Sequence, residues 1–256
     1  MANIIISAKS GSSWTDNELT AFDVQVNTVD AATFFNGAQL SDPTVSPVIL
    51  ANERRPEGPL VKCDRLFFQY LKDAERGEES LVNDFAAFIL GMFEYDEPDR
   101  FIHRRKDLPF VMCGMDVDAR PDVCVMSESE YLLLVQANKR GTNRRDPEPQ
   151  LIAEAIAAFY QNNLHRKFTG RVQLNSQTIS GIVMVGAMPI FYRIPITTEL
   201  VQCVQAGMHP SQPTIVQRCV PPVPHPDVYG VKGLVPLANR VVVMQCFEAF
   251  KAFVGT

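Results

Sequence analysis

The chain has 256 residues, 46% of them hydrophobic and 21% charged, with a formal net charge of -5. This balance suits a globular protein with a sizeable core and excludes a wholly disordered chain. The acidic excess also excludes a generally basic nucleic-acid binder, so any grip on phosphate must come from a local patch.

Residues 1–20 have no clear period and read as a loosely held start that contains the sole tryptophan, Trp14. The apolar run Ile4 to Ile6 is too short for a secretion signal, and no stretch approaches the roughly 20 apolar residues of a membrane helix. The expectation is a cytoplasmic or nuclear protein with no membrane partner. Phe22, Val24 and Val26 alternate with Asp23, Gln25 and Asn27, the pattern of a half-buried strand. Four prolines between Asp42 and Pro59 mark a long irregular connection. Helical spacing of Leu66, Phe67, Tyr70 and Leu71 predicts a helix over 64–75, closed by Gly77. A second helix starts near Ser80, with Leu81, Phe85, Phe88, Ile89 and Met92 on one stripe.

DRFIHRRKD then reads as a charged connection. Three β-like segments follow, at 110–113, 116–126 and 131–139. The last contains YLLLVQ, as apolar as a strand covered on both faces. After the basic loop KRGTNRRDPEP, residues 150–163 form the clearest helix, alanine-rich and preceded by Pro147 and Pro149. GIVMVGA is a strand and FYRIPI its hairpin partner. TELVQCVQAG is a short helix stopped by Gly207. TIVQRCV reads as an edge strand in a proline-rich tail. In the last segment a valine run favours strand, while Cys246, Phe247, Phe250 and Phe253 favour helix. The six cysteines, Cys63, Cys113, Cys124, Cys203, Cys219 and Cys246, form no C-x-x-C pair and read as reduced core thiols. Phosphate-loop and hydrolase-elbow motifs do not occur.

From residue 80 to 190 the order is helix, strand, strand, strand, helix, strand. Pro121–Asp122 lies on the second strand and VQANK ends the third. This arrangement resembles the minimal core of the PD-(D/E)xK, or restriction-endonuclease-like, superfamily. The resemblance implies a mixed central β-sheet flanked by helices, within a single α/β domain. Its core would span 80–190, with extensions at 1–79 and 191–256. The longer run ELTAFDVQVNTVDAATFF…DPEPQLIAEAIAAF…PTIVQRCVPPVP also resembles proteins of mushroom-forming fungi, which supplies no activity.

The family resemblance implies a nuclease using magnesium or manganese. A divalent ion polarises the phosphoryl oxygen and activates water, carboxylates hold the ion, and a lysine orients the water. Asp122 and Lys139 match the first and last motif positions. The acidic position is Ala137, with Gln136 beside it as substitute catalytic and metal-binding residue. Strand alternation puts Gln136 on the face opposite Lys139 unless a β-bulge occurs at Ala137–Asn138. Asp116, Asp118, Glu78 and Glu79 are further acids near this region. Gln150 resembles a helix glutamine of some nuclease subfamilies and equally suits a first-turn polar position. Arg104 and Arg105 with their neighbours, and Arg140, Arg144 and Arg145, form two basic clusters that read either as solvated loops or as a grip on DNA or RNA. The second functional reading is a non-catalytic domain on the same scaffold, binding nucleic acid, a protein partner or a second copy of itself.

Overall fold

YLLLVQ, a nearly continuous apolar run, becomes an interior strand of a sheet with helices on both faces. The computed structural model describes residues 6–37, 39–138 and 146–255. Lys139, Arg140, Arg144 and Arg145 lie outside the described residues. In chain order the helices are α1 (Asp16–Ala21), α2 (Ala31–Phe34), α3 (Pro47–Ala51), α4 (Lys62–Glu75), α5 (Glu79–Met92), α6 (Glu148–Phe168), α7 (Thr198–Ala206), α8 (Pro226–Lys232) and α9 (Leu237–Phe250). The strands are β1 (Val24–Thr28), β2 (Arg100–Arg104), β3 (Leu108–Met112), β4 (Met115–Ala119), β5 (Val123–Ser127), β6 (Glu130–Asn138), β7 (Ser176–Val185), β8 (Met188–Thr197) and β9 (Thr214–Cys219).

Among the described residues, seven strands form one mixed sheet in the order β1-β9-β8-β7-β6-β5-β2. β1 with β9 and β6 with β7 are parallel, and the other neighbours are antiparallel. Strands β3 and β4 form a separate hairpin. Leu132, Leu133, Leu134 and Val135 of β6 are all buried, as expected for a strand with cover on both faces.

Two adjacent residues of β7 identify the two covers, because successive side chains point to opposite faces. Gly181 faces α6: a Cβ there would come within 3.0 Å of Leu151 Cδ2. Ser180 faces the other way and donates through Oγ to the carbonyl of Phe253. On that second face Phe191 of β8 packs edge-on against Phe247 and Phe250 of α9. Beside α9, α5 packs directly on β6 and its neighbours, and α4 covers α5 through contacts such as Phe67 with Phe85; the Tyr95 hydroxyl, just after α5, donates to the Phe247 carbonyl.

Helix α6 is apolar around its circumference, with Leu151 to Ala153 and Ala155 to Phe159 all buried. Such a helix needs cover on the side away from the sheet as well. The N-terminal segment and the β3–β4 hairpin supply it. Gly11 is so close to both that a Cβ would lie 2.8 Å from Ala119 and 3.5 Å from Ala153. The start of the chain is therefore not loose from Ile6 onward. Trp14 is fully buried and stacks on Phe22, and α1 is closed by a capping box between Thr15 and Glu18. A 3-10 turn and a six-residue helix are too short to show a period.

Three further expectations are corrected. RFIHR is not a connection: it is edge strand β2, too exposed to carry an alternating apolar signal. Residues 116–126 are not one strand. The chain turns at Cys113 and Gly114, both at positive φ, so that β4 folds back on β3, and β5 starts only at Val123. Pro121, which lacks an N–H, sits in the break. TIVQRCV is internal, because β1 pairs along its outer side from Val24↔Thr214 to Thr28↔Arg218. The N-terminal extension thus contributes to the same sheet as the expected core. Other expectations hold. β7 and β8 are a hairpin and Gly207 ends α7 at φ 66. In the last segment, where strand and helix were both open, residues 237–250 are helical. The six cysteines are free, as expected, but only four are core thiols: Cys63 on α4 is exposed and Cys113 in the β3–β4 turn is half-buried.

Arg240 of α9 is fully buried and forms no ion pair among the described residues. It donates to five main-chain carbonyls, those of Ile49, Asn52, Glu53, Leu234 and Val235. Its guanidinium also lies 5.4 Å from the Phe67 ring centre. Burial lowers its pKa to about 10, so it remains charged at neutral pH. One side chain thereby ties the irregular connection after α3 and the loop before α9 to the helical layer. Lysine offers three donors where the guanidinium offers five. Arg240→Lys should cost about 2–4 kcal/mol, read as a lower urea midpoint at unchanged slope.

Candidate functional site

Asp122 lies in the bend just before β5, held by its own main chain. Its N–H donates to the Val135 carbonyl, and its carbonyl accepts from the Arg105 N–H. The side chain turns to the end of β6. Oδ2 accepts from Gln136 Nε2 and from the Ala137 N–H, each at 2.9 Å. Oδ1 accepts from Asn83 Nδ2 of α5 at 2.9 Å. Asp122 and Gln136 are thus brought together as expected, but without the bulge. Pairing of β6 with β7 runs unbroken from Leu133 to Asn138, and the register shift in the β5–β6 pair lies at Val125/Met126. Because Asp122 precedes the strand, the alternation of β5 does not set its direction.

Gln136 is held in turn by α6. Its Oε1 accepts from Gln150 Nε2 at 3.0 Å, and the same nitrogen donates to Glu154 Oε1 at 3.0 Å. At the other end of the helix, Asn162 accepts from the N–H of Tyr131 and donates to its carbonyl. From Gln150 to Asn162 the helix rises about 18 Å, and from Tyr131 to Gln136 the strand advances about 17 Å. Two amide side chains therefore pin α6 antiparallel to β6 at matched lengths. Gln150 is both a first-turn residue and part of the cluster.

The site is a chain of carboxyls and carboxamides: Asn83, Asp122, Gln136, Gln150 and Glu154. No cation bonds to it among the described residues. Burial therefore dominates and raises the Asp122 pKa to about 6, against the opposing pull of the Ala137 N–H and the Asn83 amide. Glu79, one helical turn before Asn83, adds a smaller upward push, and Arg105 a smaller downward one. Glu154 is fully buried, and its pKa is driven well above the usual carboxyl value by burial. Two buried oxygens, Asn83 Oδ1 and Glu154 Oε2, have no hydrogen-bond partner.

The donor set does not fit a divalent cation. Three N–H groups occupy the Asp122 oxygens, and Gln136 presents its nitrogen to Asp122 because its oxygen is taken by Gln150. Magnesium needs oxygen ligands in near-octahedral array. Ala137, at the motif's acidic position, is a buried methyl group. Asp116 and Asp118 belong to the separate hairpin and are exposed, so they add nothing to this cluster.

Of the basic residues, Arg104 pairs with Asp84, and Arg120 pairs with Asp107, not with Asp122. Arg105 and Lys106 are exposed and have no ion-pair partner among the described residues. Lys139, Arg140, Arg144 and Arg145, all expected at or beside this site, fall outside the described residues. The sequence reading missed Asn83 and Glu154. Asn83 lies one turn after Glu79, and Glu154 one turn after Gln150. Polar residues at that spacing on otherwise apolar helices were the available signal.

No protein-family model matches the chain, and no curated protein is similar to it. No described helix is long and apolar enough to cross a membrane.

The folded Asp122 carboxyl titrates near 6 against 3.8 unfolded, so between those values the native state binds the proton more tightly. Its ionisation costs stability as pH rises through that window, by roughly 3 kcal/mol once complete. Asp122→Asn removes the charge. The new amide can donate to Asn83 once that side chain turns its unpartnered oxygen inward. The variant should melt higher than the parent at pH 8, with the difference vanishing below about pH 4. A flat difference across a pH series of thermal melts would refute this account of Asp122.

Proposed function

We propose that this chain is a nuclease-like domain that holds single-stranded nucleic acid beside Asp122 without cleaving it. The scaffold part of the reading is supported by the order of the elements in and on the main sheet: with the β3–β4 hairpin set aside as an insertion between β2 and β5, α5, β2, β5, β6, α6 and β7 run as helix, three strands, helix and strand. Asp122 immediately precedes the second of those strands, and Gln136 lies on the third. The observation that carries the non-catalytic part is the closure of Asp122 by three N–H donors, with alanine at the acidic position. In that arrangement the cluster is a structural core for the end of the sheet, and no metal-dependent step is assigned to it.

The binding part rests on Arg105 and Lys106. Arg105 is fixed to Asp122 by its main-chain N–H, which sets its exposed side chain at the end of the sheet where β5 begins and β6 ends. The sequence continues from Asn138 straight into the basic run starting at Lys139. With a net charge of -5, such a patch gives a local, salt-sensitive grip. Arg104 adds to it only by leaving Asp84, which costs little for an exposed pair.

Two measurements test the reading. The anisotropy of a labelled single-stranded oligonucleotide should report binding at low salt that weakens as salt rises. The double variant Arg105→Ala, Lys106→Ala should flatten the salt dependence by about 1–1.5 in log–log slope, two phosphate contacts' worth. In parallel, the parent protein should give no cleavage of DNA or RNA with magnesium or manganese. Metal-dependent cleavage that Asp122→Ala abolishes would overturn the non-catalytic reading in favour of a nuclease.

A further inference from the structure

The sheet face that presents Gln136 does not end at β6. In register, Gln136 lies opposite Val183 of β7, and Val183 opposite Ile190 of β8. The next row is Asn138, Val185 and Met188. Val183, Val185, Met188 and Ile190 form the floor of a cleft of about 280 Å³, walled by the first turn of α6 and by Tyr192 and Arg218. That size is near the lower end for small-molecule sites. It accommodates one planar ring system and is too small for a base pair.

The wall is built and locked. Glu148 Oε2 accepts from the Tyr192 hydroxyl at 2.9 Å and from Arg218 Nη1 at 3.0 Å. Arg218 also donates through Nε and Nη2 to the Thr28 hydroxyl of β1, at 2.9 and 2.7 Å. Tyr192 and Glu148 are buried. What remains for a ligand follows from valence. Arg218 keeps one N–H on each terminal nitrogen, and Glu148 keeps its second oxygen as an acceptor. Asp146 adds another carboxylate at the rim. The cleft thus combines a hydrophobic floor with donors and acceptors side by side on one wall.

We propose that this cleft seats one unstacked guanine base of the bound strand. This rests on the nucleic-acid reading above and deepens it. Guanine carries an acceptor, O6, directly beside two donors, N1–H and the exocyclic amine. Arg218 donates to O6, while Glu148 and Asp146 accept from N1–H and the amine. The ring packs on Val183 and Ile190, as bases of single strands pack on apolar and aromatic platforms. Adenine and cytosine present a donor where guanine has O6 and an acceptor where it has N1–H, so both meet like groups on this wall. The cleft lies two strand spacings, about 10 Å, from Gln136. A strand whose phosphates sit near Arg105 can therefore place a base in it.

The experiment uses labelled DNA heptamers d(AAAXAAA), with X varied over the four bases, titrated into the full chain at low salt. The guanine oligomer should bind about tenfold tighter than the all-adenine one, the discrimination of one well-made edge contact. Ile190→Trp fills the floor and should erase the preference while leaving the weaker, base-independent binding. Glu148→Gln keeps an oxygen for Tyr192 and Arg218 but turns the free position from acceptor into donor. It should lower guanine affinity and raise that for adenine or cytosine, a change that a merely structural Glu148 would not produce. Circular dichroism and melting curves identify any variant that fails to fold. If Ile190→Trp fails, Glu148→Gln decides. Equal binding of all four oligomers, or a guanine preference unchanged in the folded variants, overturns the pocket and leaves nucleic-acid binding standing. Failure of every oligomer to bind overturns both.

Discussion

Strand β6 is covered on both faces, and that constraint shapes everything near Asp122. Polar groups placed along it are out of reach of water and must be satisfied from within the protein. At its start, Tyr131 is paired by Asn162; at its end, Gln136 is paired by Asp122 and Gln150. The same two ends position α6, so the groups that satisfy the strand also fix the helix. What looks like a catalytic constellation in sequence is, in structure, the polar closure of a buried strand. The sheet face beside it remains open enough to form the cleft between Gln136 and Arg218.

The protein buries charge in two opposite ways. Arg240 is a cation in direct contact with carbonyl oxygens, with no ion pair among the described residues. Asp122 is an acid in direct contact with N–H groups, with no ion pair among the described residues. Dipoles substitute for counterions in both places, with different consequences. Guanidinium keeps its charge because even a pKa near 10 is far from neutrality. The carboxyl gives way and titrates close to physiological pH. One site is a fixed tie between irregular segments; the other responds to acidity.

The two long-period signals were legible. Helices α4, α5 and α6 follow from their apolar spacing, and β6 to β8 from continuous or alternating apolar runs; α9, with a valine run at its start, was open between strand and helix. The failures occur where tertiary cover replaces local pattern. Residues 6–21 look polar, yet Trp14 and Phe22 are buried because α6 needs a second cover. β2 looks like a charged loop because an edge strand can expose most of its side chains. The break at Pro121 was visible as a residue, but that Met115–Ala119 would leave the sheet depended on the turn at Cys113–Gly114. Within the site, Asp122, Gln136 and Gln150 could be selected from motif and position. Their hydrogen bonds could not, because the direction of Asp122 is set by a bend outside the strand. Asn83 and Glu154 needed the helices to be placed on the sheet first.

The parallel pairing of β1 with β9 joins Val24 to Thr214, residues that any ribosome makes far apart in time. Until β9 emerges and docks on β8, β1 has no ladder to complete, and its backbone groups must stay hydrated or be shielded. Closing so long a loop carries an entropic cost that local contacts cannot offset beforehand. Arg218 sits on this late-arriving strand and bonds to Thr28 on the early one. The wall of the cleft is therefore complete only when the two distant parts of the chain have met, so its geometry depends on a long-range pairing and not on local structure.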